Sequence, residues 1–221
     1  MKPVSTVFLT LLCWHPIAGY STSPPLHGLA SRPLENNQQQ LPLLAQQLLH
    51  QLDNSRVEEK WLNHRHINWL TGEPDRPVSY RGPATHSHCS AFVAAMAQQR
   101  GIYLLRPPQH AQVLLANAQL HWLSSEAAQQ QGWQAVSHAW QAQQLANQGM
   151  FVVVGYANTQ SHKPGHIAIV RPGFLTEQQL AQQGPDVTQA GVKNFLKVTA
   201  RKAFKHHPAA WPDAVHYFAH P

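Results

Sequence analysis

Only two cysteines occur in the 221 residues of this chain. Cys13 lies inside an apolar run near the amino terminus, so a processed chain would keep Cys89 alone. A single thiol cannot form an internal disulfide, and it cannot supply the Cys pairs of a closed zinc site. It is then an inert packing residue, half of an intermolecular bridge, or a reagent. Charged residues are scarce too, at 12% of the sequence, with 10 acids against 16 Lys and Arg. The resulting formal charge of +6 favours anionic partners such as a cell-wall polymer or a membrane surface. No dense Lys/Arg tract with interleaved aromatics occurs, which argues against a nucleic-acid partner. No later stretch approaches the roughly 18 to 20 apolar residues needed to span a bilayer, so stable membrane insertion is not expected. Internal repeats are missing as well.

What is present begins with a leader-like segment. Lys2 precedes the apolar run Val4 to Trp14, and Ile17-Ala18-Gly19 offers small residues for cleavage. Residues 1–20 therefore read as a secretory signal peptide, placing the mature protein in the periplasm or outside the cell. Leu11-Leu12 before Cys13 are too large for a lipoprotein site. Residues 21–75 read as a linker and an N-terminal helical segment. Ser21 to Pro33 is rich in Ser and Pro. Leu41, Leu44, Ala45, Leu48, Leu49 and Leu52 then recur at helical spacing. Ser55 and Glu58 match a capping box and predict a second helix carrying Val57, Trp61 and Leu62, ending near Thr71-Gly72. These helices are expected to buttress a main domain over residues 76–221.

In that domain a helix opens at Cys89, carries Phe92, Val93 and Met96, and stops at Arg100-Gly101. Further helices are expected over 109–123, from Ser137 to Ala146, and over 177–183, with a short strand over 133–136. Phe151 to Tyr156 is a continuous apolar run, the mark of a strand buried on both faces. Gly165 to Val170 follows as a second strand, with Val187 to Ala190 and Val215 to Phe218 as shorter ones. Helices early and strands late imply an α+β domain with an antiparallel sheet.

Cysteine chemistry needs a thiol, a base to take its proton, and a group that orients the base. At a helix N-terminus, Cys89 meets free backbone N–H groups that lower a thiol pKa and suit an oxyanion. His166 is the candidate base. Alternation puts it on one strand face with Ala168 and Val170, where it is expected to face the nucleophile helix. Gln189, on the next strand, is the first choice to hold the second imidazole nitrogen. Asn194 and Asp186 are reserves, Asn194 also as a polar contact for substrate. The plain alternatives are a buried, inert thiol and a hydrogen-bonded core histidine.

A family resemblance rests on these residues. Cys89-Ser90-Ala91-Phe92-Val93, then Gly101-Ile102-Tyr103-Leu104 and Arg106-Pro107, resembles the NlpC-type cysteine peptidases that cut bacterial cell-wall peptides. Tyr80-Arg81-Gly82 is similar to their Tyr-x-x-Gly segment. Residues 146–170, through Gly165-His166-Ile167, look more like the related CHAP amidases. His88 stands where the family has Asp, Ala91 where it has Gly, and Leu105 where it has Pro. The resemblance implies a papain-like core with an antiparallel sheet packed on the nucleophile helix, no cofactor, and hydrolysis of an amide bond in peptidoglycan peptides. It implies Cys89 as nucleophile, His166 as base, and Tyr80, Ser90 and Arg106 near the substrate.

Two rivals come from other classes. One is a catalytically inactive cell-wall binding module. The other is a periplasmic metal-binding protein, suggested by sixteen histidines, among them His86, His88, His64, His66 and the His206-His207 pair. No His-Glu-x-x-His motif or second mature Cys completes a zinc site, so no metal is expected.

Overall fold

The computed structural model describes residues 40–160 and 162–221. The expected leader, Cys13 and the Ser/Pro linker lie outside the described residues. Seven helices and six strands are found among them: α1 (Leu43–Asp53), α2 (Cys89–Gln99), α3 (Leu115–Leu123), α4 (Glu126–Gln130), β1 (Gln134–Val136), α5 (Ala139–Asn147), β2 (Phe151–Tyr156), β3 (His166–Val170), α6 (Glu177–Gln183), β4 (Asp186–Gln189), β5 (Phe195–Thr199), α7 (Ala200–Ala203) and β6 (His216–His220). The strands form one six-stranded sheet in the order β1-β6-β2-β3-β4-β5, and every neighbouring pair is antiparallel. The class is α+β. None of the described helices is long and apolar enough to cross a membrane.

Strand alternation sorts the core into two layers. Phe151, Val153, Ile167 and Ile169 face a cluster built with Cys89, Phe92, Val93 and Met96 of α2 and Leu120 of α3. Val152, Val154, Ala168 and Val170 face the other, with Ala142 and Ala146 of α5 and Ala203 and Phe204 at α7. All six residues of β2 are buried, as its unbroken apolar run predicts for a strand covered on both faces. In α2, nine of eleven residues are buried; its alanines let neighbouring elements approach from several sides.

Helix α1 docks on the far end of α2, where Gln51 Nε2 donates to the Met96 carbonyl at 2.9 Å. In the same last turn of α1, Asp53 accepts from Arg171 at 2.6 Å. That arginine is 7% exposed and also donates to Thr188 Oγ1 at 3.0 Å, so sheet and helix share one charged tie.

The expected helix after Ser55 does not form. Residues 54–75 run as turns with one isolated bridge, Ile67 to Pro74. Arg56, Trp61 and His64 take left-handed φ values of 53°, 49° and 61°. The cause is long-range capture of backbone groups that a helix would use. Asn194 Nδ2 donates to the carbonyls of Val57, Lys60 and Trp61 at 2.7, 2.8 and 3.3 Å. Trp61 is 2% exposed and meets Phe92 edge-on at 5.1 Å. Gly72, at φ +71°, leaves room for that indole; a Cβ there would strike it. Glu58 does not cap either, since its Oε1 accepts from Leu196 N–H at 3.4 Å.

The helix expected over 109–123 is shorter, because Leu114 takes φ 56° and helix geometry starts only at Leu115. Helices α4 and α7 and strand β5 were not expected. They are four or five residues long, too short for a clear period.

Candidate functional site

Cys89 is the first residue of α2, with His88 as its N-cap. No side chain caps the helix in the usual way. Instead the buried His88 ring is tied by Nε2 to the Arg65 carbonyl at 2.8 Å, which fastens the 54–75 segment to the start of α2. Cys89 is 3% exposed. The backbone N–H groups of Ile167, Ser90 and Cys89 itself are oriented so as to lower its thiol pKa. Those donors favour the thiolate, as a helix N-terminus should. Burial is the larger effect and pushes the thiol pKa up. The sequence-based expectation of a lowered pKa is therefore corrected: the donors are in place, but desolvation outweighs them.

His166 opens β3 and is 4% exposed. It shares the face of Ala168 and Val170, as alternation predicts. Helix α2, however, packs on the opposite face, against Ile167 and Ile169. The base candidate thus does not face α2 across the sheet. The link between them runs through the backbone: the N–H of Ile167, the residue after His166, favours the Cys89 thiolate. Among the described residues no hydrogen bond joins the Cys89 sulfur to the His166 ring. Gly165 is needed just before this point, because a Cβ there would collide with the Tyr156 carbonyl and the Asn117 side chain.

The imidazole is held by its other nitrogen. Gln189 Nε2 donates to the Lys193 carbonyl at 3.0 Å, which turns Oε1 towards the ring. His166 Nε2 therefore carries the proton and donates it to Gln189 Oε1 at 2.5 Å. Nδ1 is left as the basic atom, and among the described residues it has no hydrogen-bond partner. Phe204 meets the ring edge-on at 5.0 Å, and His207 stacks on it at 5.5 Å and 13°. Burial first, against the Gln189 bond, holds the His166 pKa down to about 4. At neutral pH both partners, thiol and imidazole, are uncharged.

Replacing Gln189 by alanine leaves Nε2–H buried without an acceptor and frees the tautomer. For a Cys-His hydrolase built on this ring, a turnover loss of about 10- to 100-fold at little change in KM is expected, the pattern of a positioning residue. Steady-state kinetics of Gln189→Ala beside Gln189→Asn checks it; unchanged turnover contradicts the tautomer argument.

The remaining sequence candidates separate. Ser90 is buried, and its carbonyl accepts from Gln119 Nε2 at 3.1 Å. Asn194 serves neither the His166 ring nor an open surface. Its Oδ1 accepts from Gly191 N–H at 2.9 Å, and its amide is spent on the 57–61 carbonyls. Asp186 sits at the opposite end of β4 and pairs with Lys197 at 3.2 Å. Tyr80 is half-buried, edge-on to His66 at 5.3 Å. The Arg106 guanidinium lies 4.8 Å from the centre of the Tyr103 ring, with no contact to Cys89 or His166. Phe204 and His207 are the site residues that sequence reasoning missed. The His206-His207 pair was visible, but only as a weak metal signal. Among the described residues no group of three or more His, Cys, Asp or Glu is placed to hold one ion.

Burial of neutral histidines carries a pH dependence. The folded pKa of His166 lies near 4, below the usual unfolded value of about 6.5. The neutral form is favoured in the fold, so this stabilisation is complete above about pH 6.5 and is lost as pH falls towards 4. Its full size is about 3 kcal/mol by the linkage relation, and His88 and His207 are lowered in the same direction by burial. The melting temperature is expected to fall steadily from pH 6.5 to 4.5; a flat profile contradicts the buried neutral imidazoles.

Neither a scan against protein-family models nor a search of curated proteins gives a match for this chain.

Proposed function

We propose that the protein is an exported cysteine hydrolase with a papain-like core that cleaves an amide bond in peptidoglycan peptides. The observation that carries this reading is the His166–Gln189–Lys193 relay: it fixes one imidazole tautomer and leaves Nδ1 unprotonated, in the residue before Ile167, whose backbone N–H favours the Cys89 thiolate.

In this reading Nδ1 takes the thiol proton as the sulfur attacks the amide carbonyl. Backbone N–H groups at the start of α2 hold the oxyanion. Collapse breaks the C–N bond, and the amine leaves with the proton from Nδ1. Water, giving its proton to Nδ1, then cleaves the thioester to a carboxylic acid and restores the thiol. The neutral resting pair suits this order, because charge separates only when substrate supplies the electrophile. The resemblance of 78–194 to NlpC-type and CHAP enzymes supports the substrate class, as does the cationic composition. Incubation of purified sacculi with the protein tests it: soluble muropeptides are expected, and their absence at micromolar protein contradicts the reading.

One observation favours a second reading. A thiol 3% exposed with a pKa raised by burial matches an inert cysteine in a wall-binding module. Iodoacetamide separates the two. Alkylation of Cys89 in the folded protein at pH 8 is expected of the hydrolase, and sacculus binding without alkylation of the module.

A further inference from the structure

Beside His166 lies a group of cations that the hydrolytic steps leave unused. The loop after β4 and the short helix α7 bring Lys193, Lys202 and Lys205 to the rim of a cavity of about 20 Å³. His166 and Gln189 line the same cavity, and Ser87, just ahead of the nucleophile, is also on its wall. The ammonium groups of Lys193 and Lys202 lie 5.3 and 5.5 Å from the centre of one ring, that of Phe195. Two other lysines find acids: Lys60 pairs with Glu73 at 3.1 Å and Lys197 with Asp186 at 3.2 Å. Among the described residues no carboxylate pairs with Lys193, Lys202 or Lys205, and none lines the cavity.

Like charges gathered around one aromatic ring repel unless an anion joins them, and a concave rim of one sign concentrates anionic ligands. The cavity itself has room for little more than a water. An anion held here would therefore sit at its mouth, beside the lysines, rather than inside. Lys193 also links this rim to the proposed base, since its carbonyl holds the Gln189 amide at 3.0 Å. A ligand that settles the Lys193 side chain settles the loop that orients His166.

We infer that Lys193 and Lys202 form a carboxylate clamp that selects acidic peptides, with a free acid group close to the amide presented to Cys89. This inference rests on the hydrolase reading and deepens it by assigning specificity to residues outside the Cys-His-Gln set. The clamp acts through charge, so Arg in place of Lys preserves it and Gln removes it.

The test uses the full chain carrying Cys89→Ala and two N-acetylmuramyl dipeptides that differ in one group, a free carboxylate or a carboxamide. Calorimetric titration at low salt is expected to show the acid binding at least tenfold more tightly than the amide, with the preference shrinking at about 0.5 M salt. Adding Lys193→Gln and Lys202→Gln is expected to erase the preference, while the corresponding Arg pair keeps it. Equal affinity for acid and amide, a preference that survives the Gln pair, or no binding of either compound overturns the clamp. Circular dichroism of the Gln and Arg pairs ensures that folded proteins are compared. The two levels fail separately. A binding preference without muropeptide release by the wild-type protein overturns the hydrolase reading alone. Release without a preference overturns the clamp alone.

Discussion

Replacing Cys89 by alanine is expected to lower amide hydrolysis by at least about 10³-fold while the chain stays folded. In the proposed mechanism Cys89 supplies the covalent step, and among the described residues no other thiol can replace it. What survives comes from oxyanion binding and substrate positioning alone, which is small without a nucleophile. The structural cost is modest. One sulfur is lost from a buried site, a change of about 1 kcal/mol by comparison with small core truncations. His166→Ala is expected to be nearly as damaging, and the double variant no worse than either single one, because the pair works as a unit. Rates with a muropeptide substrate, together with the circular dichroism of each variant, check this. More than a tenth of wild-type activity in Cys89→Ala contradicts the nucleophile assignment.

The second large effect is on stability. Asn194→Ala is expected to cost about 2 to 4 kcal/mol, because it strands backbone groups in a half-buried seam. Its Nδ2 serves the Val57, Lys60 and Trp61 carbonyls, and its Oδ1 serves Gly191 N–H. Water can reach some of these groups, which keeps the sum below four full penalties. The damage is expected first in the 54–75 turns, where Trp61 packs on Phe92, and then at the Gly191 loop beside His166. Urea unfolding gives the size, and hydrogen exchange gives the place. A change under about 1 kcal/mol, or exchange unaltered at Trp61, contradicts the role of Asn194 as a clamp between two distant segments.

Asn194 also explains where sequence reasoning stopped. Its candidacy as a substrate contact or as a partner for His166 came from proximity in sequence to β4. The folded chain instead spends it on carbonyls more than a hundred positions away. Those same bonds undo the helix that Ser55 and Glu58 announce, since a local capping signal is weak beside a buried tryptophan and a multidentate amide. Strand β2 was legible because its apolar run is continuous, and the face shared by His166, Ala168 and Val170 because alternation is local geometry. Which layer covers each face is not local. Helix α2 lies against Ile167 and Ile169 rather than His166, and only tertiary packing decides that. The Cys89 pKa went astray for a related reason. A helix N-terminus is visible in sequence, whereas the desolvation that outweighs it comes from elements folded over the site. His207, stacked on a ring 41 residues earlier (207 − 166), left no local sign of its place.

The most direct test of the central claim is digestion of purified sacculi in ¹⁸O-labelled water, followed by mass spectrometry of the products. Hydrolysis through an acyl-Cys89 thioester predicts one new amine and one new carboxylate carrying a single ¹⁸O, formed by the wild-type protein and missing with Cys89→Ala. Identical labelled products from both proteins, or intact peptides from the wild type, contradict it.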